Sequence, residues 1–183
     1  MPRLDHIALR VAQGRRNESE AFFIDALGYR RQDEFEIYFN DEKTDVAMCV
    51  ALEPGEKTLY PVSAIPWWWF HSPAGAEYHL APEIFLTSSL PGGIVDNWVQ
   101  SRAGVGGVHH LAYQVDDVEK TMAEWTRKGW ASFTTATPVK CDGMEQVFSQ
   151  PNATGVIFEL IKRVDRGFCK ASVRQLILSS KGD

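Results

Sequence analysis

The feature that most constrains this chain is an internal repeat of a histidine-bearing strand. The stretch LDHIALRV at 4–11 is matched position by position by VHHLAYQV at 108–115, with His6 on His110, Ile7 on Leu111, Ala8 on Ala112, Leu9 on Tyr113 and Val11 on Val115. Both copies alternate as half-buried strands do. A chain of 183 residues that restarts itself in this way is expected to be two small modules sharing one surface rather than two large independent cores.

The segments around the repeats give each module the order β-α-β-β-β. After the first strand a helix is expected over 18–27, where Ala21, Phe22, Ile24 and Leu27 form an apolar stripe and Gly28 supplies the stop. Strands over 31–39, 45–52 and 83–88 follow, and a helix over 94–99, carrying Ile94, Val95, Trp98 and Val99, connects the halves. In the second module a helix is opened by Asp116 with Glu119 three residues on, in the manner of a capping box, and buries Val118, Met122 and Trp125. Gly129 ends it, as Gly28 ends the first. Strands are expected over 132–135, 144–149 and 156–162, and Val173, Leu176 and Ile177 mark a short C-terminal helix.

The expected architecture is therefore α+β: two βαβββ modules forming a half-open mixed β-barrel around a metal site, with a C-terminal helix. The divisions are 1–103, with an insert at 54–79, then 104–163, then 164–183. The insert carries four prolines and the aromatic run Trp67, Trp68, Trp69 and Phe70. So much aromatic area is costly to leave in water, which suits a pocket cover or a subunit contact, and a homodimer is compatible with it.

Two such modules related by a pseudo-twofold place their first strands side by side, with His6 and His110 facing each other. In the last strand Val156, Phe158 and Leu160 share one face. If they pack under the helix, Glu159 points to the side of the histidines. Two imidazoles and a carboxylate cover one face of an octahedral ion and leave positions open for substrate and dioxygen, the ligand set of non-haem iron(II) oxygenases, though manganese, cobalt or zinc also suit it. By strand parity His109 points to the opposite face and is not a ligand. His71 and His79 lie in the insert without a counterpart in the repeat and read as loop histidines. Glu83, on the last strand of the first module, is either a fourth ligand or a carboxylate at the rim.

Composition narrows the partners. A net charge of -5, with 19 basic and 24 acidic residues, gives no electrostatic reason to bind nucleic acid or an anionic membrane, and the expected partners are a small-molecule substrate and O2. No apolar run is long enough to span a bilayer and the first residues lack the apolar core of a signal peptide, so a cytoplasmic protein is expected. Cys49, Cys141 and Cys169 are odd in number and widely spaced, which suggests small buried side chains rather than a disulfide framework.

The paired motifs DHIAL (5–9) and GVHHLAY (107–113) resemble those of the vicinal oxygen chelate superfamily, which includes glyoxalase I, methylmalonyl-CoA epimerase and extradiol dioxygenases. The segments MEQVFSQP (144–151), GVIFELIKR (155–163) and GFC (167–169) before a helix resemble, in order and spacing, the catalytic domain of 4-hydroxyphenylpyruvate dioxygenase. The resemblance implies that His6, His110 and Glu159 hold iron(II), that Gln146 and Phe148 line the substrate, and that Phe168 and the following helix form a gate. It implies a 2-oxo acid that is decarboxylated as dioxygen is consumed. The chain departs from that pattern at 81–85, which lacks the substrate-binding asparagine, and at Val173, where the gate helix carries phenylalanine. The resemblance also leaves an oxygen-independent isomerase or lyase, with Glu83 or Glu145 moving a proton, and a non-catalytic binding protein as alternative functions.

Overall fold

The computed structural model describes residues 2–55, 82–163 and 167–180. The expectations placed on the aromatic run 67–70, His71 and His79 lie outside these residues. Eight strands form one mixed sheet: β1 (Arg3–Arg10), β2 (Tyr29–Tyr38), β3 (Val46–Pro54), β4 (Glu83–Ser89), β5 (Gly107–Gln114), β6 (Val139–Cys141), β7 (Met144–Phe148) and β8 (Ile157–Lys162). Four helices accompany it: α1 (Arg16–Ala21), α2 (Ile94–Gln100), α3 (Val118–Arg127) and α4 (Lys170–Ser179).

The repeat sets the sheet order, β2-β3-β4-β1-β5-β8-β7-β6. β1 and β5 pair antiparallel at its centre, and each is flanked in parallel by the last strand of its own module, β4 beside β1 and β8 beside β5. β2 and β6 are the two edges of the sheet, yet both pack against α4, so the sheet curls into a half-barrel with α4 across its opening. Closing β5 onto β1 demands a glycine at 106, because a Cβ there would lie 2.2 Å from the carbonyl oxygen of Arg10, and its φ is +79°.

The convex face takes the helices. Val50, Leu52, Ile84 and Leu86 pack beneath Phe23 and Ile24 in the first module, and Val147 and Leu160 pack beneath Val118 and Met122 of α3 in the second. Leu160 on this side turns Glu159 to the concave face, as the alternation requires. α4 lies across both modules: Val173 and Ile177 join the cluster of Phe35, Ala47 and Phe85, while Leu176 joins Val139, Phe148 and Ile157.

Several local expectations are corrected. The helix over 18–27 is α1 continued by a π-helical turn over Phe22–Ala26. The cap of α3 is Asp117, whose Oδ1 accepts from the Lys120 amide at 2.9 Å, one residue later than the box built on Asp116. The strand expected over 132–135 is reduced to a bridge between Phe133 and Ser149, and β6 pairs with β7 from 139–141 instead. Cys141 and Cys169 are joined in a disulfide, with Cα atoms 6.3 Å apart, while Cys49 is buried and free. The bond ties the end of β6 to the residue that caps α4, two segments 28 residues apart whose approach no local spacing encodes.

Candidate metal centre

The antiparallel register of β1 and β5 explains why the two histidines meet. Each strand carries His-x-Ala, and the register places His6 opposite Ala112 and His110 opposite Ala8. Each imidazole therefore projects over the small side chain of the other copy. Ala112 is also the register partner of Glu159 on β8, so one alanine separates His6 from the carboxylate. All three side chains are buried, with residue exposures of 1% for His6, 7% for His110 and 2% for Glu159.

Their donor atoms form a nearly equilateral triangle. His6 Nε2 lies 3.3 Å from His110 Nε2 and 3.3 Å from Glu159 Oε2, and His110 Nε2 lies 3.0 Å from the same oxygen. Bonds of about 2.0 to 2.1 Å to one ion place neighbouring donors about 2.8 to 3.0 Å apart around an octahedral ion and about 3.3 to 3.4 Å apart around a tetrahedral one. The second carboxylate oxygen, Oε1, is buried without a hydrogen-bond partner among the described residues. The donor set fits a divalent ion, and the observed edges of 3.0 to 3.3 Å lie within a few tenths of an ångström of either geometry.

Both histidines are held by the residue that precedes them. The ladder between β1 and β5 slips twice, once between Leu4 and His6 and once between Ala8 and Leu9. The first slip makes Asp5 an extra residue and the second does the same for His109, so each is the inserted residue of a β-bulge. Asp5 Oδ1 lies 2.8 Å from His6 Nδ1, and His109 Nδ1 lies 2.8 Å from His110 Nδ1. This corrects the parity assignment of His109. The bulge interrupts the alternation and turns its ring, 4% exposed, to the concave side beside His110. In both modules the Nε2 atoms are left for the ion while Nδ1 is fixed from outside, the arrangement that sets ring orientation and tautomer in metal-binding histidines.

The electrostatics follow from burial and these partners. Burial opposes charge on His6, but hydrogen bonds to Asp5 and Glu159 outweigh it and raise its pKa to about 9. Burial also opposes charge on Glu159, and the hydrogen bonds from His110 and His6 overcome it and lower its pKa to about 2. For His110 burial prevails over Glu159 and the value falls. His109 is pushed well below the ordinary histidine value by burial and by the charge of Arg10. In the metal-free protein the cluster is thus an imidazolium on His6 beside the carboxylate of Glu159.

Around the cluster three phenylalanines form part of the wall. Phe148 packs on His110 with ring centroids 4.6 Å apart, and Phe168 stands edge-on to His6 at 5.1 Å and against Phe85 at 4.6 Å. Gln146, 1% exposed, donates from Nε2 to the hydroxyl of Ser172 on α4. Together with Arg10, Thr87, His109, Val173, Leu176 and Ile177 these side chains line a small cavity of about 30 Å³, room for about one water. The structure thus brings His6, His110, Glu159, Gln146, Phe148 and Phe168 together.

Glu83 is not brought to the ligand triangle. It sits in register with His6, but its Oε2 is bound by Arg163 at 2.9 Å, and the same guanidinium reaches Asp5 Oδ1 at 2.8 Å. Glu83 therefore acts on His6 only through Arg163 and Asp5. The cause is the cation 80 residues away on the strand-end side of β8. Glu145, on the opposite face of β7 from Gln146, pairs with Lys140 at 3.6 Å. Sequence reasoning missed Asp5 and Arg163. The one available signal for Asp5 was its position before the repeated histidine.

A family profile described as the Glyoxalase/Bleomycin resistance protein/Dioxygenase superfamily matches residues 5–148. The chain belongs to this superfamily. Its half-barrel superposes on those of solved superfamily structures. A variant of 4-hydroxymandelate synthase from Streptomyces coelicolor gives a TM-score of 0.71 at 17% identity, over 98% of this chain and 53% of that one, so the chain spans about half the length of that protein. A methylmalonyl-CoA epimerase gives 0.61 at 18% identity over 88% of this chain and 95% of the other. The methylmalonyl-CoA epimerase from Mycobacterium tuberculosis gives 0.55 at 19% identity, over 88% of each chain. No curated protein sequence matches the chain. At these identities the structures establish the fold alone, which 4-hydroxymandelate synthase and methylmalonyl-CoA epimerases share. Among the described residues no helix is long and apolar enough to cross a membrane.

Proposed function

We propose that this protein is a metal-dependent dioxygenase, with iron(II) held by His6, His110 and Glu159, acting on a small aromatic or 2-oxo acid substrate. The observation that carries the reading is the triangle of three donors with edges of 3.0 to 3.3 Å, walled by Phe85, Phe148 and Phe168. Two imidazoles and one carboxylate leave half of an octahedral ion for substrate and dioxygen. When bound, the ion supplies Lewis acidity toward a chelating substrate and one-electron chemistry with dioxygen.

The chain's own residues do the rest. Asp5 and His109 hold the two rings with Nε2 toward the ion. Gln146, kept in place by Ser172, presents its amide to the cavity. Phe148 offers a flat face to an aromatic substrate, and Phe168 with α4 limits water at the reacting centre.

The isomerase reading needs a carboxylate free to move a proton. Of the two that it names, Glu83 is engaged by Arg163 and Glu145 lies on the face of β7 opposite Gln146, away from the cavity, which favours the dioxygenase. The test is oxygen uptake after anaerobic loading with iron(II) across a panel of 2-oxo acids and catechols. Substrate-dependent uptake, lost in His110→Ala, is expected. Solvent deuterium entering substrate without oxygen consumption would instead establish the isomerase.

A further inference from the structure

With a volume of about 30 Å³, the cavity beside His6, His110 and Glu159 has room for about one water. A substrate reaches these side chains only if a wall moves. Among the described residues that line the cavity, all but Phe168, Val173, Leu176 and Ile177 belong to β1, β4, β5, β7 and β8. Those strands are held in one sheet by their backbone ladders and cannot part without breaking them. The wall that can move is therefore the segment 167–180, which contains α4.

The two ends of that segment are held differently. At the far end Arg10 Nη2 donates to Ser180 Oγ at 3.0 Å, and Ser179 Oγ lies 3.3 Å from Thr134 Oγ1, so the close of α4 is fixed to both modules. At the near end Cys169, the N-cap residue of α4, is bonded to Cys141 at the end of β6. Its neighbour Phe168 is the side chain that stands edge-on to His6 at 5.1 Å. The polar contacts here, from Gln146 Nε2 to Ser172 Oγ and from Arg163 Nη1 to the Gly167 carbonyl at 3.3 Å, are single hydrogen bonds, each weak beside a covalent bond. Both cysteines are only half-buried, and Cys141 Sγ lies 3.8 Å from Oδ2 of the exposed Asp142. The bond is thus at the surface, within reach of a soluble thiol.

We propose that Cys141 and Cys169 form a thiol–disulfide switch: oxidised, it latches Phe168 and the start of α4 over the candidate metal centre, and reduced by a dithiol it lets them swing away. In the reduction a thiolate of the dithiol attacks Cys141 Sγ, the sulfur–sulfur bond breaks, and Cys169 leaves as a thiolate, the form that a helix N-terminus favours. The second thiol of the reductant then displaces Cys141 and closes a cyclic disulfide. Two electrons and two protons pass from the dithiol to the protein, and the oxidised form of the same dithiol reverses the exchange. The inference rests on the metal-site reading above.

The test compares the oxidised protein with protein reduced by millimolar dithiothreitol and then freed of it. Manganese(II), which thiolates bind poorly, is loaded into both forms, and its release to excess EDTA is followed by electron paramagnetic resonance. Release from the reduced form is expected to be at least about tenfold faster, and amide hydrogen exchange over 168–173 to quicken by a similar factor while α3 is unchanged. Reoxidation with the cyclic disulfide of dithiothreitol is expected to restore both rates. Cys141→Ser is expected to behave as the reduced form with or without reductant; the wild-type comparison needs no variant to fold. Equal release rates in the two forms, exchange over 168–173 unchanged by reduction, or a bond that the dithiol fails to open in the folded protein overturns the proposal. Failure of manganese to bind through His6, His110 and Glu159 overturns the metal-site reading, and the amide exchange alone then decides the latch.

Discussion

Asp5 and His109 are equivalent under the pseudo-twofold. Each is the extra residue of a bulge in the β1–β5 ladder, and each lies 2.8 Å from Nδ1 of the histidine that follows it. The same backbone device thus orients both rings, with a carboxylate in one module and an imidazole in the other. Removing the partner of a metal-binding histidine commonly costs ten- to a hundredfold in affinity. Asp5→Ala is expected to weaken zinc or cobalt binding by about that factor in a chelator competition. Asp5→Asn, which still offers an acceptor to His6, is expected to lose less.

Metal binding should release a proton. His6 is protonated in the metal-free protein up to about pH 9, and an ion can take Nε2 only from the neutral ring. Apparent affinity is therefore expected to climb about tenfold per pH unit between 7 and 9 and then to flatten. Calorimetry in buffers of differing ionisation enthalpy measures the protons released, and an affinity flat from pH 7 to 9 would rule this mechanism out.

The stability of the metal-free protein should peak near pH 6.5. A raised folded value for His6 contributes stability that is complete below 6.5 and lost as pH rises through about 9. His109 and His110, whose folded values are lowered, act oppositely, because below 6.5 the unfolded chain binds protons that the folded protein refuses. Glu159 adds stability above 4.5 that disappears as pH falls through about 2. Urea unfolding across pH 4 to 9.5 is expected to show this maximum, and His6→Gln to remove the decline on the alkaline side.

The disulfide predicts a thiol count. Unfolded without reductant, the protein should react at one thiol, Cys49, and after reduction at three. A loop of 28 residues corresponds to about 3 to 4 kcal/mol of chain-entropy stabilisation. Cys141→Ser is expected to lower the melting temperature by roughly 10 °C, at 2 to 4 °C per kcal/mol for a chain of this size. Three reactive thiols before reduction would show the bond to be absent.

Much of this could be read from the chain because the information was periodic. His6, His110 and the strands that carry them emerged from a repeat, and Glu159 from the burial of Leu160 on the other face of a two-residue alternation. What escaped had no period. A bulge at His109 breaks the alternation by a single residue, and nothing in the letters marks it. Cys169 finds Cys141, and Arg163 finds Asp5 and Glu83, only after the sheet has curled. The shift of a strand from 132–135 to Val139–Cys141 likewise depends on pairing with β7 rather than on propensity.

The place where a divalent ion binds decides whether His6, His110 and Glu159 form a metal centre. Elemental analysis after anaerobic iron(II) loading, with anomalous scattering at the iron edge, is expected to give about one ion per chain. It should lie roughly 2.0 to 2.2 Å from His6 Nε2, His110 Nε2 and a Glu159 oxygen. No retained ion, or an ion bound away from these three side chains, would contradict it.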